Sequence, residues 1–224
     1  MRNITKRIYL VLMILITTPA ISDSGIWSGI FDINGHGAYD FTGLISDNQA
    51  TAYTKKANVV YSGTINKEKK ILEWNLLMYL KNGSYFGKAN IKGKIINNNI
   101  MSGSWVTSPA KDYGNIYLVK LDEKEVLNVG EIINKTWATI NSKTNHTLKI
   151  KDNKILGKDE NNCNYYGSIN GISKKIYNVK IEIASCGISD GIYKGMAHVS
   201  SKNNINKLTI TATNKNFSLF LNLN

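Results

Sequence analysis

Arginine is all but missing from this chain. Of its 28 basic residues only Arg2 and Arg7 are arginines, and both precede the apolar run at residues 8–16, so lysine is the sole strong cation of everything that follows. Lysine is a point charge without the planar fork that reads guanine edges or grips phosphate through two bonds, and sequence-specific nucleic-acid recognition therefore loses its usual tool. Proline and cysteine occur only twice each, which excludes collagen-like repeats and a dense disulfide scaffold. The three histidines, His36, His146 and His198, show no His-x-His, His-x-x-x-His or Glu-x-x-His spacing. Asp32, Asp40 or Asp190 would have to complete a metal site from afar, so no metal and no cofactor is expected. Gly-x-Ser-x-Gly is absent, its nearest approach being Ser102-Gly103-Ser104-Trp105, which reads as strand. Phosphate loops and dinucleotide fingerprints are lacking too, as is the strand-helix alternation they require.

What is present begins with a basic, then apolar, then small-residue order: Arg2, Lys6 and Arg7, the run at 8–16, and Thr17-Thr18-Pro19-Ala20-Ile21-Ser22. This is the order of a signal peptide, and the run is too short to span a bilayer. Cleavage is expected after Ser22, giving an exported chain, periplasmic or secreted, with no transmembrane segment and, for want of a nearby cysteine, no lipid anchor. Loss of three positive and no negative residues would take the formal charge from +12 to +9. Such a balance supports adhesion to an anionic surface. The joint abundance of Asn, Lys and Ile is also what AT-rich codons produce.

Beyond residue 22 the chain reads as short alternating runs, among them 59–65, 71–80 and 177–183, separated by turn formers such as Lys81-Asn82-Gly83, Asn97-Asn98-Asn99, Asn170-Gly171 and Asn203-Asn204. That is an all-β signature. One helical spacing, Val126, Val129 and Ile133, falls in a linker or short helix over 122–134. Internal repetition supplies the organisation. Tyr61-Ser62-Gly63-Thr64-Ile65-Asn66 recurs as Tyr165-Tyr166-Gly167-Ser168-Ile169-Asn170, Lys69-Lys70-Ile71 as Lys174-Lys175-Ile176, and Gly83-Ser84-Tyr85-Phe86-Gly87-Lys88-Ala89 as Gly191-Ile192-Tyr193-Lys194-Gly195-Met196-Ala197. The expected architecture is two tandem related antiparallel β domains, 23–121 and 135–224, each a roughly eight-stranded barrel or sandwich. Tyr61 should match Tyr165, Tyr85 match Tyr193 and Gly87 match Gly195.

Cys163 and Cys186 are expected to pair, since a hairpin turning about 174 and 175 sets them opposite each other in an exported chain. No catalytic residues are assigned. Asp122-Glu123 and Asp159-Glu160 read as solvated charge, and Trp27, Trp74, Trp105 and Trp137 as mostly core. The triplets at Asn82, Asn134, Asn145 and Asn216 match a glycan acceptor pattern that an Asn-rich chain also makes by chance.

The second half resembles the C-terminal half of uncharacterised exported bacterial β proteins, many of them lipoproteins. The residues that carry this are Asn162-Cys163-Asn164-Tyr165-Tyr166-Gly167, Cys186, Tyr193-Lys194-Gly195-Met196-Ala197 and the closing apolar pair at 207–210 and 217–221. The resemblance implies a β fold and an envelope location and carries no catalytic residues. Together these features favour a non-enzymatic binding protein for another protein or an anionic envelope polymer. Two other classes compete: a polysaccharide hydrolase, which would show two facing carboxyls in a cleft, and a lipocalin-like carrier, which would show a cavity inside a barrel.

Overall fold

A computed structural model describes residues 24–97, 99–121, 133–139, 144–173, 175–202 and 205–224. Sixteen strands follow in order: β1 Gly25–Ile33, β2 His36–Ser46, β3 Gln49–Thr54, β4 Val59–Glu68, β5 Ile71–Leu80, β6 Tyr85–Asn97, β7 Ile100–Ser108, β8 Tyr113–Lys120, β9 Thr136–Ala138, β10 His146–Lys151, β11 Lys154–Asp159, β12 Asn164–Gly171, β13 Ile176–Ala184, β14 Gly191–Lys202, β15 Ile205–Thr213 and β16 Ser218–Leu223. Strands β1–β8 form a closed antiparallel barrel in sequence order. Strands β9–β16 form a second eight-stranded sheet in the same up-and-down order. A bridge from Thr139 to Leu223 and paired backbone bonds between Ala138 and Asn224 bring its two ends together. The expected signal peptide and most of the expected helix lie outside the described residues, as does the expected turn at Asn203-Asn204.

Alternation along each strand decides what is inside. On β5, Leu72, Trp74, Leu76 and Met78 are buried, while Asn75 and Leu77 face out. Val179, Ile181 and Ile183 do the same on β13. Trp27 and Trp137 open the first strand of each barrel and are wholly buried, and Trp74 and Trp105 are core as well. About 10 Å³ of space remains among Phe31, Phe41, Tyr61 and Trp105, roughly the room one water needs. The first barrel is thus filled by its own side chains, and the small-molecule carrier loses its cavity there. Tight turns place Asn34, Asp47, Asn58, Asn82, Asp152 and Asn153 at positive φ, where short polar side chains are tolerated. Four of these six are asparagines. Asn170 and Gly171 depart from expectation: they are the last two residues of β12 itself and pair with Asn178 and Tyr177.

Tyr61 and Tyr165 occupy the fourth strand of each barrel, opposite Met78 and Ile183. Two residues on, a Cβ at Gly63 would strike the carbonyl oxygen of Asn75, and one at Gly167 that of Lys180. The same close approach recurs in both halves. The Tyr-x-Gly match on the sixth strands needs correction. Met78 faces Gly87, whereas Ile183 faces Gly191, so Gly191 rather than Gly195 is the ladder equivalent of Gly87, and Tyr193 stands where Ala89 does. The β13–β14 connection holds a 3-10 turn at Gly187–Ser189 in place of a tight turn, and local likeness does not report ladder position across it. Tyr193 is accordingly buried, with its hydroxyl donating to the Ser189 carbonyl at 2.9 Å. Tyr85 instead lies exposed, edge-on to Tyr79.

Cys163 and Cys186 are disulfide-bonded with Cα atoms 4.9 Å apart. They sit just past the paired ends of β12 and β13. Because Asn164 faces Ala184, Cys163 is level with Ser185, one residue off the expected register.

Two stability outcomes follow. Gly167→Ala should destabilise by about 1–3 kcal/mol, since the added carbon meets backbone rather than a movable side chain; urea unfolding checks this, and an unchanged midpoint would refute the close approach. Replacing both cysteines by serine should cost about 3 kcal/mol by loop entropy over a separation of 23 residues, read from the same curves under oxidising conditions.

Candidate functional site

The outward faces of the two barrels meet. Ile26 and Leu44 of the first cluster with Ile176 and Met196 of the second. Tyr53, Val60 and Tyr79 cluster with Phe220. All of these would be solvent-facing on an isolated barrel. The β5–β6 turn is stitched to the β15–β16 turn: Ser218 N donates to Gly83 O at 2.9 Å, Tyr85 N to Asn216 O at 2.8 Å, and Phe220 N to Asn82 Oδ1 at 2.5 Å. Tyr79 Oη adds a bond to Asn214 O at 3.1 Å. The acceptor-like triplets at Asn82 and Asn216 are thus part of this seam.

His198 lies in the seam, with Nε2 3.1 Å from Tyr53 Oη and the rings stacked at 6.2 Å. Its Nδ1 has no partner. Burial, aided by repulsion from Lys55, pulls its pKa down to about 4, so the ring is neutral near pH 7. Burial likewise raises the pKa of Tyr53, which stays a phenol.

Beside the seam is a cleft of about 310 Å³. The first barrel contributes Gln49, Thr51 and Ser62 to it, from β3 and β4. The second contributes Ser168, Asn178, Lys180 and Lys194, from β12 to β14. No carboxylate lines the cleft, so it offers no acid pair of the kind a hydrolase uses. Lys180 faces Lys194 directly across the ladder, and Ser168 and Thr213 continue the row on either side. Beyond Ser168 comes Lys154, itself facing Lys151 across a tight turn. Four exposed lysines thus stand in one cross-strand row. None has a carboxylate partner among the described residues. Like charges placed opposite each other weaken a sheet.

The equivalent row of the first barrel has no such charge. It runs Gln49, Thr64, Asn75, Asn90, Val106, Tyr113, and the Asn90 amide donates to Asn75 Oδ1 at 2.9 Å and to Glu73 Oε1 at 3.0 Å. One row along from the lysines, Leu156, Tyr166, Glu182 and Ile192 are paired across the second barrel. Its three apolar members are each about half exposed.

The remaining candidates from the sequence are dispersed. His36 is exposed in the β1–β2 hairpin. Asp32 takes bonds from Gly35 N and Asn115 N, and the Asn115 bond leads in holding its pKa below the usual value. Asp40 caps Lys55 N and Lys56 N, and Asp190 takes the Cys186 N–H. Asp159 corrects the expectation of solvated charge. It is buried, accepts from Asn161 N, Cys163 N and the Tyr165 hydroxyl, and lies 3.9 Å from His146 Nε2. Burial lowers the His146 pKa against the pull of Asp159. Glu160, by contrast, is exposed, and Asp122-Glu123 lies outside the described residues. One grouping of possible metal ligands occurs among the described residues, Asp159 with Cys163 and Cys186, and its two sulfurs are joined to each other. No described helix is long and apolar enough to cross a membrane.

Comparison with protein-family models, with curated proteins and with solved structures finds no match to this chain. The resemblance of the second half to exported β proteins rests on its quoted residues alone.

The seam should be acid-sensitive. A histidine whose folded pKa of about 4 lies below its unfolded value of 6.5 takes up its proton on unfolding. Its contribution is complete above about pH 6.5 and is lost as pH falls towards 4, by roughly 3 kcal/mol at most. Urea midpoints between pH 7 and 4 should fall more steeply for the parent than for His198→Gln; equal slopes would show that the ring is not held neutral.

Proposed function

We propose that this protein is a non-catalytic binding protein of the bacterial cell envelope, exported by its N-terminal segment, that holds an anionic polymer on the outer face of its second barrel. The observation that carries the reading is the row Lys151, Lys154, Lys180 and Lys194. A barrel of this topology does not need those charges, because the equivalent row of the first barrel, Gln49, Thr64, Asn75, Asn90, Val106 and Tyr113, is uncharged and its Asn90 amide donates to Asn75. Facing lysines cost stability, and a polyanion would relieve that repulsion. The half-exposed row of Leu156, Tyr166 and Ile192 adds an apolar and aromatic strip for the less polar faces of such a polymer. Lysine as the only cation suits a partner read by charge density more than by fixed geometry.

Retention of the protein on immobilised polygalacturonate and on neutral dextran tests this. Polygalacturonate should retain it, less so as salt rises, and neutral dextran should not. Changing all four lysines to glutamine should weaken retention at least about tenfold, while Lys88→Gln with Lys92→Gln on the first barrel should change it little. Retention equal on both resins, or unaffected by the fourfold change, would overturn the reading. Recovery of one stoichiometric protein from the cell envelope with no polymer retention would replace it by a protein-binding role.

A further inference from the structure

The seam between the barrels is held in two unlike ways. Along one edge the β5–β6 and β15–β16 turns are joined by backbone. Ser84 bridges Phe217, Ser218 N donates to Gly83 O and Tyr85 N to Asn216 O, and the Ser218 hydroxyl donates to Leu80 O at 2.6 Å. None of these bonds involves a group that titrates. Away from that edge the contact is made by side chains, Ile26 and Leu44 against Ile176 and Met196. Tyr53 and His198 meet between these two regions, since β3 lies between β2 and the stitched β5 in the strand order.

The three histidines differ in what a proton would find around them. His36 is exposed to water. His146 has a partner for each ring nitrogen, Thr144 O 3.0 Å from Nδ1 and the Asp159 carboxylate 3.9 Å from Nε2, so its imidazolium would have both an acceptor and a counter-charge. His198 has neither. Its Nε2 is 3.1 Å from Tyr53 Oη, and its Nδ1 is buried without a partner, whereas an imidazolium carries two N–H donors that both need acceptors. The charges nearby do not help. Lys55 stands 5.9 Å from the centre of the Tyr53 ring and repels a positive His198. Asp40, on β2, turns its two carboxylate oxygens to Lys55 N and Lys56 N. The ladder neighbours of His198 on β13 and β15, Ile176 and Thr209, are uncharged, as is Phe220 of β16 against Tyr53.

Neither barrel needs the other to keep its own core. The first is closed on itself, and the ends of the second are tied to each other at Ala138, Thr139, Leu223 and Asn224. We infer that the seam is an acid-operated hinge: protonation of His198 parts the barrels on the side of Ile26 and Met196, and the backbone bridge at Ser84 and Phe217 is the pivot. Opening uncovers Leu44, Tyr53, Ile176 and Met196 as an apolar face and draws apart the two walls of the cleft. In the open form the ring protonates as an exposed histidine does, near 6.5, whereas burial holds the docked ring down to about 4. Between those values each pH unit downward therefore favours the open form about tenfold. The lysine row belongs to the second barrel alone, so the hinge stands or falls apart from the polymer reading.

Methyl relaxation dispersion on the intact, disulfide-bonded protein from pH 7.5 to 4 tests this. Methyl groups of Leu44, Ile176 and Met196 should exchange with an open form whose population rises about tenfold per pH unit below 6.5. Those of Leu72 and Ile181, inside the two cores, should be unaffected, and the Ser218 and Tyr85 amides should stay protected from hydrogen exchange. His198→Gln, which can still bond to Tyr53 but takes no charge, should make the population independent of pH. Lys55→Gln should end the rise at a higher pH, because the docked ring then accepts its proton sooner. Absence of exchange at the seam down to pH 4, core methyls moving together with seam methyls, or loss of Ser218 and Tyr85 protection along with the seam overturns the hinge. So does an unchanged pH profile in His198→Gln. Should that variant be open at every pH, Lys55→Gln decides, and a profile identical to the parent's overturns the hinge.

Discussion

The docking of one barrel's outer wall against the other's is the constraint on which the rest of the molecule depends. An up-and-down barrel buries its inward residues without help, and both barrels here do so around Trp27 and Trp137. Their outward positions ought then to be polar. Leu44, Tyr53, Val60 and Tyr79 on one side and Ile176, Met196 and Phe220 on the other are not, and they are buried only by facing each other. The cleft exists because this contact ends where the first barrel offers Thr51 and Ser62 and the second offers lysine.

The seam is not uniformly apolar. Tyr53 and His198 share a hydrogen bond inside it, and Nδ1 of the ring and the hydroxyls of Thr54 and Thr211 are left without partners. Buried polar groups in this condition make an interface less stable than a fully apolar one and more dependent on its surroundings. His198 is the one that responds to pH, because its neutral form is the form that burial permits.

Comparing the barrels separates what the fold requires from what it carries. Both use the same strand order, a tyrosine on the fourth strand and a glycine two residues later that lets backbone approach backbone. They differ in the row that crosses their outer faces, uncharged in one and carrying four lysines in the other. Asn90 and Asn75 bond to each other in the first row, whereas like charges face each other in the second.

Period-two alternation and turn chemistry are local properties, and so the sequence by itself determined that this protein is all-β, that strands such as 59–65 and 71–80 exist, that the chain halves repeat and that Cys163 can reach Cys186. Ladder register is not local. It depends on the length and shape of each connection, which is why the Tyr-x-Gly likeness on the sixth strands proved to be four residues out of register. Burial of Asp159 was equally hidden, since its partners His146 and Tyr165 meet it only across neighbouring strands. The candidate site was the least legible feature of all. Lys151, Lys154, Lys180 and Lys194 are spread over 44 positions, and Thr51 lies a hundred residues before the nearest of them. Only the pairing of β10 to β14 lines up the four charges, and only the docking of the barrels sets a threonine against them.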